Sequence, residues 1–162
     1  MAKRASRSTP SPTDAPAPAA RTYHRSDPAA TQRFAIEAAR LLSDDKCQDV
    51  VVLDLRGLTQ VTDFIVIGTG SSDRQMRSVL DHVEELGGTL GFNAFKRSVD
   101  ERSTWVLVDF VDVIVHMFEP NTRAHYDLEM LWGDAKRPEW ERPEQLTRNR
   151  AGLRSDDALE PR

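Results

Sequence analysis

The spacing of apolar residues predicts three helices. The first begins at Pro28 behind a small polar residue, and its apolar face repeats every three to four residues: Phe34, Ala38, Leu41 and Leu42. The second follows residues 68–72 and could end at one of three glycines, and its face consists of Met76, Val79, Leu80, Val83, Leu86 and Leu90. The third begins at Pro120 and ends at Gly133, with the large residues Tyr126, Leu128, Leu131 and Trp132.

Short apolar runs rich in β-branched residues predict five strands. Residues 50–55 and 64–67 have the composition of strands that are buried on both faces of a sheet. Residues 92–97 form a weaker strand, whereas residues 105–110 and 112–118 are strongly apolar. So few residues separate these last two strands that only an antiparallel hairpin can join them.

This order of elements indicates an α/β domain with a mixed five-stranded sheet flanked by helices. The order is similar to that of nucleotidyltransferase-like domains, which hold catalytic metals with two carboxylates one residue apart on a strand. The nearest acidic pair here, Asp109 and Asp112, is three residues apart across a sharp turn, with no third acid beside it. We therefore expect this topology without its catalytic carboxylates.

Proline and charged residues near both ends predict polar tails around one domain. Residues 1–26 contain four prolines and little to bury, so we expect a disordered N-terminal tail. Residues 27–133 carry the α/β pattern. Residues 134–162 are again rich in proline and charge, and we expect a disordered or loosely docked C-terminal tail, with Trp140 as the candidate docking residue.

Charge and composition argue against several classes of protein. The 162-residue chain has a formal net charge of −4, the wrong sign for binding nucleic acid by neutralising phosphates. The one cysteine, Cys47, allows no intramolecular disulfide and fits a reducing cytosol. No stretch reaches the roughly 18 to 20 apolar residues of a membrane helix, and the N-terminus lacks the apolar core of a secretion signal. We expect a cytoplasmic protein that binds neither DNA nor membranes.

The turn that leads from the second strand into the second helix could bind phosphate. Backbone N–H groups and the helix dipole in the segment Gly68 to Arg74 would suit a nucleotide, but neither a complete G-x-G-x-x-G nor a G-K-[ST] motif is present. Ser72 followed by Gln75 also fits a helix capping box, which we favour. A nucleotide-binding or nucleotidyltransferase-like enzyme therefore stays the alternative function.

The remaining reactive side chains do not form a catalytic or metal-binding pattern. The histidines have no His-x-x-x-His or Cys-His spacing, and nothing near Cys47 would lower the pKa of its thiol. His116 could be structural, or could pair with Asp109 or Asp112 across the last hairpin. We expect no catalytic residue, no metal and no cofactor.

Several separated motifs resemble those of a known family. They are residues 52–58 (VLDLRGL), 62–64 (TDF), 68–75 (GTGSSDRQ), 105–109 (WVLVD), 112–116 (DVIVH), 126–129 (YDLE) and 131–132 (LW). In order and spacing they are similar to the Iojap family of ribosomal silencing factors over about residues 30–133. The chain departs from the family pattern at Ser98 and Val99, where an acidic residue and a glycine are usual, and at Val111, where the short hairpin turn usually has glycine.

This resemblance implies a binding function without catalysis. Similar proteins bind the large ribosomal subunit at ribosomal protein L-fourteen, on the face that meets the small subunit, and so block subunit joining when nutrient limitation requires less translation. An acidic factor also suits a basic ribosomal protein. We expect the sheet edge and last hairpin to make this contact, with Trp105 first; the other expected residues are Phe95, Lys96, Arg97, Asp109, His116 and Tyr126.

Two alternatives remain open for these surfaces. Tyr126 and Trp132 could simply dock the final helix on the sheet rather than contact a partner. Exposed strand edges also pair readily and symmetric dimers are common, so the chain could be a self-associating scaffold or form a homodimer when free.

Overall fold

The computed structural model describes residues 26–148. The N-terminal tail expected over residues 1–26 lies outside the described residues except for Ser26, and so does the end of the C-terminal tail, residues 149–162. Within the described range, no helix is long and apolar enough to cross a membrane.

A five-stranded mixed sheet forms the centre of the fold, as predicted. Its strands are β1 (Gln48–Asp54), β2 (Phe64–Thr69), β3 (Lys96–Val99), β4 (Trp105–Asp109) and β5 (Val113–Phe118), and they lie in the order β1-β2-β5-β4-β3. The central pair, β2 and β5, is parallel, whereas the other pairs are antiparallel. A parallel pair needs a long crossover, which here contains the second helix, β3 and β4.

Two long helices, α1 (Pro28–Asp44) and α2 (Asp73–Thr89), cover one face of this sheet. Asp27 caps α1 by accepting the N–H of Ala30, and Ser72 caps α2 by accepting the N–H of Gln75 at 3.1 Å. Their apolar faces pack on the inward residues of the strands to form the larger core, whose members include Phe34, Leu42, Val52, Phe64, Met76, Leu80, Val83, Val106, Val108, Val115 and Met117.

Gly87 is a packing residue and not the end of α2. Gly87 and Gly88 are two of the glycines at which the helix is predicted to stop, but the helix continues to Thr89. A Cβ atom on Gly87 would lie 2.7 Å from the carbonyl oxygen of Phe92 and 2.9 Å from the ring of Phe110. The absence of a side chain therefore lets the helix approach the following segment closely, and the chain turns only at Gly91, whose φ is +83°.

The third strand is shorter and later than predicted. It was expected over residues 92–97 but spans Lys96–Val99. Phe92 instead turns into the core, where its ring stacks on Phe34 at 4.7 Å between centroids. Phe92 is therefore apolar because it is buried against helix α1, and not because it lies in the sheet.

The final helix is broken where a continuous one was predicted. Asp127 has the left-handed backbone conformation, φ 44° and ψ 58°, which separates α3 (Pro120–Tyr126) from α4 (Leu128–Leu131). Its carboxylate accepts the N–H of Met130 and so caps the second helix. An aspartate tolerates this conformation better than most residues because its short polar side chain can bond locally.

Within residues 26–148, α4 and the residues that follow it cover the second face of the sheet over β1, β2 and the end of β5. There Leu128, Trp132 and Ala135 pack on a smaller core of Leu53, Leu55, Ile65, Ile67 and Phe118. The chain then passes the edge of β1, where the N–H of Asp54 donates to the carbonyl oxygen of Lys136 at 2.8 Å.

The described part of the C-terminal segment continues onto α1. Trp140 is buried in the larger core, and its carbonyl oxygen accepts a hydrogen bond from Nε of Arg40 at 2.7 Å. Gln145 is buried as well and donates to the carbonyl oxygen of Arg40 at 3.1 Å. Residues 136–148 therefore cover the β1 edge and lie against α1.

Candidate protein-binding surface

The half of the second face formed by β3, β4 and β5 carries a surface that we call the open sheet face. Strand residues alternate between faces, and Val106 and Val108 point to the helices, so their neighbours point away from them. The strand register with β4 places the residues of β3 and β5 that pair with these neighbours on the same side of the sheet. The open sheet face consists of Lys96, Ser98, Trp105, Leu107, Asp109, Ile114 and His116.

An aromatic cluster lies at one end of the open sheet face. The Trp105 ring stacks on Phe118 at 4.9 Å between centroids and contacts Tyr126 at 4.6 Å. Trp105 is half-buried, whereas 49% of the Tyr126 surface is exposed. Tyr126 therefore both packs on the sheet and presents its ring to solvent, so the two roles weighed for it are compatible.

His116 pairs with Trp105 and not with a carboxylate. The indole N–H of Trp105 donates to Nδ1 of His116 at 3.0 Å. Burial lowers the pKa of His116 to about 4, so the imidazole is neutral near pH 7. The alternative in which His116 pairs with Asp109 or Asp112 is wrong, because these carboxylates accept the backbone N–H groups of Val111, at 2.7 Å, and Ser26, at 3.1 Å.

The position of Trp105 is fixed by Asp100, which the sequence motifs did not single out. The Asp100 carboxylate accepts the N–H of Thr104 at 2.7 Å, the hydroxyl of Thr104 at 2.8 Å and the N–H of Trp105 at 2.9 Å. An aspartate at the start of a short loop that contains Ser and Thr is a typical signal for such turn bonding. Asp100 thus sets where β4 begins.

The basic residues of β3 lie on opposite sides of the sheet. Lys96 is exposed on the open sheet face, opposite Asp109. Arg97 instead points to α2, where Nη1 lies 2.6 Å from Asp81 and Nη2 donates to the carbonyl oxygen of Arg77 at 3.0 Å. The structure therefore does not bring Arg97 together with Trp105, although both were predicted to contact a partner.

Phe95 lies just before β3, at the border of this surface. Its N–H donates to the carbonyl oxygen of Asp109 at 2.7 Å, and its side chain is 54% exposed. Phe95 is thus a largely exposed aromatic side chain at the sheet edge.

The turn proposed for phosphate is engaged in capping α2. Oε1 of Gln75 accepts the N–H of Ser71 at 2.6 Å and its hydroxyl at 2.8 Å, while the hydroxyl of Ser72 caps Gln75. The N–H of Gly70 donates to the carbonyl oxygen of Phe118 at 2.9 Å. The expected capping by Ser72 is confirmed, and these bonds engage the N–H groups of Gly70, Ser71 and Gln75 in and after the turn. No group of three or more His, Cys, Asp or Glu side chains that could hold a metal occurs within residues 26–148.

Comparison with known proteins finds a matching family and several named relatives. The family model described as "Ribosomal silencing factor during starvation" matches residues 28–160. A ribosomal silencing factor of Bacillus subtilis (strain 168) is 36% identical over 98 residues, which are 60% of this chain and 83% of that protein. The chloroplastic protein Iojap of Zea mays is 33% identical over 114 residues, 70% of this chain and 50% of that protein.

A solved structure has the same fold. The crystal structure of a protein from Chromobacterium violaceum superposes with a TM-score of 0.58 at 32% identity, and the match covers 72% of this chain and 94% of that one. The sequence resemblance is therefore confirmed by a family match over most of the chain, by named relatives and by structure. The chain belongs to the ribosomal silencing factor family.

Proposed function

We propose that this protein silences ribosomes by docking its open sheet face on ribosomal protein L-fourteen of the large subunit. The bound factor occupies the surface that meets the small subunit, blocks subunit joining and represses translation under nutrient limitation. Membership of the family supports ribosome silencing, while the choice of partner follows the resemblance in the sequence motifs. The observation that carries the proposal is the aromatic cluster of Trp105, Phe118 and Tyr126, which lies beside a part of the sheet that residues 26–148 leave partly exposed.

The chemistry of this face suits a protein partner. Buried aromatic anchors with a polar rim are typical of protein interfaces, and Trp and Tyr are enriched among the residues that dominate binding energy. Lys96 and Asp109 provide rim charges of both signs, and the chain as a whole is acidic. An acidic factor gains association rate with a basic partner and loses it with RNA.

The size of the face indicates that the contact extends onto α3 and α4. Three strands about 4.8 Å apart and about five residues long cover roughly 240 Å² in projection. A stable interface buries about 800 Å² per partner. The neighbouring exposed side chains that could supply more apolar area are Tyr126, Met130 and Leu131, of which Met130 is 79% exposed. We therefore include the α3–α4 rim in the proposed interface.

The proposed mechanism is steric and requires no catalysis. Asp100 and Asp109 on this side of the sheet accept backbone N–H groups, and Nδ1 of His116 accepts the indole N–H. A general acid or base must be free to exchange a proton with a substrate, which these bonds oppose. We propose a binding protein that acts in the cytoplasm, where it meets ribosomes.

Sedimentation with purified ribosomal subunits tests this proposal. The protein should co-migrate with the large subunit and reduce the fraction of joined ribosomes. Trp105→Ala should weaken binding at least tenfold, because loss of an aromatic anchor at an interface costs about 2 kcal/mol, which is about thirtyfold in Kd. Val61→Ala is the matched control, since Val61 is 78% exposed on the β1–β2 loop. Absence of co-migration by the wild-type chain would show that the proposal is wrong.

We further propose that the free protein pairs with a second copy through the same face. A partly exposed aromatic surface favours self-association, and a symmetric dimer would bury it. Light scattering over a concentration series should then show a dimer that Trp105→Ala weakens. A concentration-independent monomer would contradict this part.

A further inference from the structure

The hydrogen bond between Trp105 and His116 determines which nitrogen of the imidazole carries the proton. An indole nitrogen can only donate, so Nδ1 of His116, at 3.0 Å, must accept. A neutral imidazole then carries its proton on Nε2. The low pKa of His116, caused by burial, agrees with the neutral form. His116 is therefore a hydrogen-bond donor with a fixed tautomer.

The donor on Nε2 reaches the surface of the open sheet face. Within residues 26–148, Nδ1 is the nitrogen of His116 that has a hydrogen-bond partner, and no enclosed side-chain nitrogen or oxygen lacks one. His116 keeps 7% of its surface exposed, which fits an imidazole whose outer edge alone meets solvent. Solvent therefore satisfies the Nε2–H group in the free protein.

The surroundings of this donor are apolar. Leu107 lies opposite His116 in the β4–β5 register, and the Phe118 ring stacks parallel to the imidazole at 5.9 Å between centroids. Trp105 lies on a third side. A partner that covers this region removes water from the Nε2–H group, and among the described residues the neighbouring side chains of Leu107, Phe118 and Trp105 offer no replacement acceptor.

We propose that His116 is a specificity-determining residue, and that the partner places an oxygen acceptor, a main-chain carbonyl or a carboxylate, over its Nε2–H group. The inference rests on the proposed docking of the open sheet face. A partner that presents an apolar group or an ammonium or guanidinium donor there leaves a buried donor unsatisfied, which reduces affinity roughly ten- to a hundredfold. Trp105 thus provides buried contact area in the interface, while His116 discriminates between partners of similar shape.

The first test concerns the free protein and does not depend on any partner. Two-bond ¹H–¹⁵N correlation spectra of the full chain near pH 7 should show His116 as the Nε2–H tautomer. In Trp105→Phe, which keeps an aromatic ring but removes the indole donor, the spectrum should show a mixture of tautomers. An Nδ1–H tautomer in the wild-type chain would overturn the inference.

The second test measures binding to purified large ribosomal subunits. His116→Phe keeps a ring of similar size and removes the donor, so its affinity should fall roughly ten- to a hundredfold. His116→Gln has an amide N–H near the position of Nε2 and should recover most of that loss. Thermal melts of both variants establish that each is folded.

The outcomes separate this inference from the proposed function. If the wild-type chain binds large subunits and folded His116→Phe binds equally well, the role of His116 is wrong while the docking proposal stands. The same holds if His116→Gln binds no better than His116→Phe. If the wild-type chain does not bind large subunits at all, the proposed function fails, and the specificity inference that rests on it fails with it, whereas the tautomer result stands by itself.

Discussion

Val111 lies at the centre of the tight turn that joins β4 to β5, in a conformation that a valine rarely adopts. Its φ is 75°, and the N–H of Asp112 donates to the carbonyl oxygen of Phe110 at 3.0 Å across it. A three-residue turn with this bond and a positive central φ is a γ-turn of the strained kind. Val111→Gly should therefore stabilise the protein.

The expected magnitude follows from two opposing effects. A non-glycine residue in the left-handed region costs about 1 to 2 kcal/mol, and β-branching does not reduce that cost. Glycine increases the conformational entropy of the unfolded chain, which costs about 0.5 to 1 kcal/mol. The N–H of residue 111 keeps its bond to Asp109 in either case, because that bond involves the backbone. The net gain in unfolding free energy should be about 0.5 to 1 kcal/mol.

Urea and thermal unfolding measure this change. The melting temperature of Val111→Gly should rise by about 2 to 4 °C. Gly91→Ala is the control of opposite sign, because Gly91 has φ +83° and a Cβ there would meet nothing within 4 Å. The unfolding free energy of the Gly91→Ala protein should be lower by about 1 kcal/mol, because the added Cβ strains the backbone there. A Val111→Gly protein that melts below the wild type, while Gly91→Ala behaves as expected, would refute the assignment of strain to Val111.

Three further changes test the core. The pKa of His116 is about 4 in the folded protein and about 6.5 in an unfolded chain, so between these pH values the unfolded chain binds more protons. The unfolding free energy should therefore fall by about 3 kcal/mol from pH 6.5 to pH 4 and level off at lower pH. Urea melts measure this change, and an equal fall in His116→Phe would contradict the assignment to His116. Gly87→Ala should lower the unfolding free energy in urea melts by about 2 to 4 kcal/mol, because the added Cβ would meet a backbone oxygen. A loss below about 1 kcal/mol would show that the helix can shift to make room. Burial raises the pKa of Cys47 to about 12, so iodoacetamide at pH 8 should modify it only on unfolding, and rapid modification of the folded protein would disprove its burial.

Most of the framework could be predicted from the sequence because most elements have a clear apolar pattern. The helical spacing of Phe34 and Leu42 predicts a helix, and the shortness, β-branching and flanking turn residues of the apolar runs in β2 and β5 predict strands. The break at Asp127 could not be predicted, since an isolated left-handed residue leaves no periodic signal. The docking position at Trp140 depends on contacts with Arg40, 100 residues away in sequence.

The candidate surface was less predictable because it depends on strand register. β3 has no apolar run, so its bounds were uncertain, and a shift of one residue moves every side chain to the other face. This is why Arg97 could be expected beside Trp105 although it points to α2. The partner of His116 likewise depends on register, which brings the Trp105 indole and not a carboxylate to Nδ1.

The parallel pairing of β2 with β5 has a consequence for how the factor is made. Phe64 pairs with Val113, so the two central strands meet only after about fifty intervening residues have left the ribosome that synthesises them. Until β5 has been synthesised, β1 and β2 can form at most an antiparallel hairpin, because β2 lacks its parallel neighbour. The hydrogen bond between Trp105 and His116 therefore joins strands that lie late in the sequence, and the open sheet face assembles only after β5 has been synthesised.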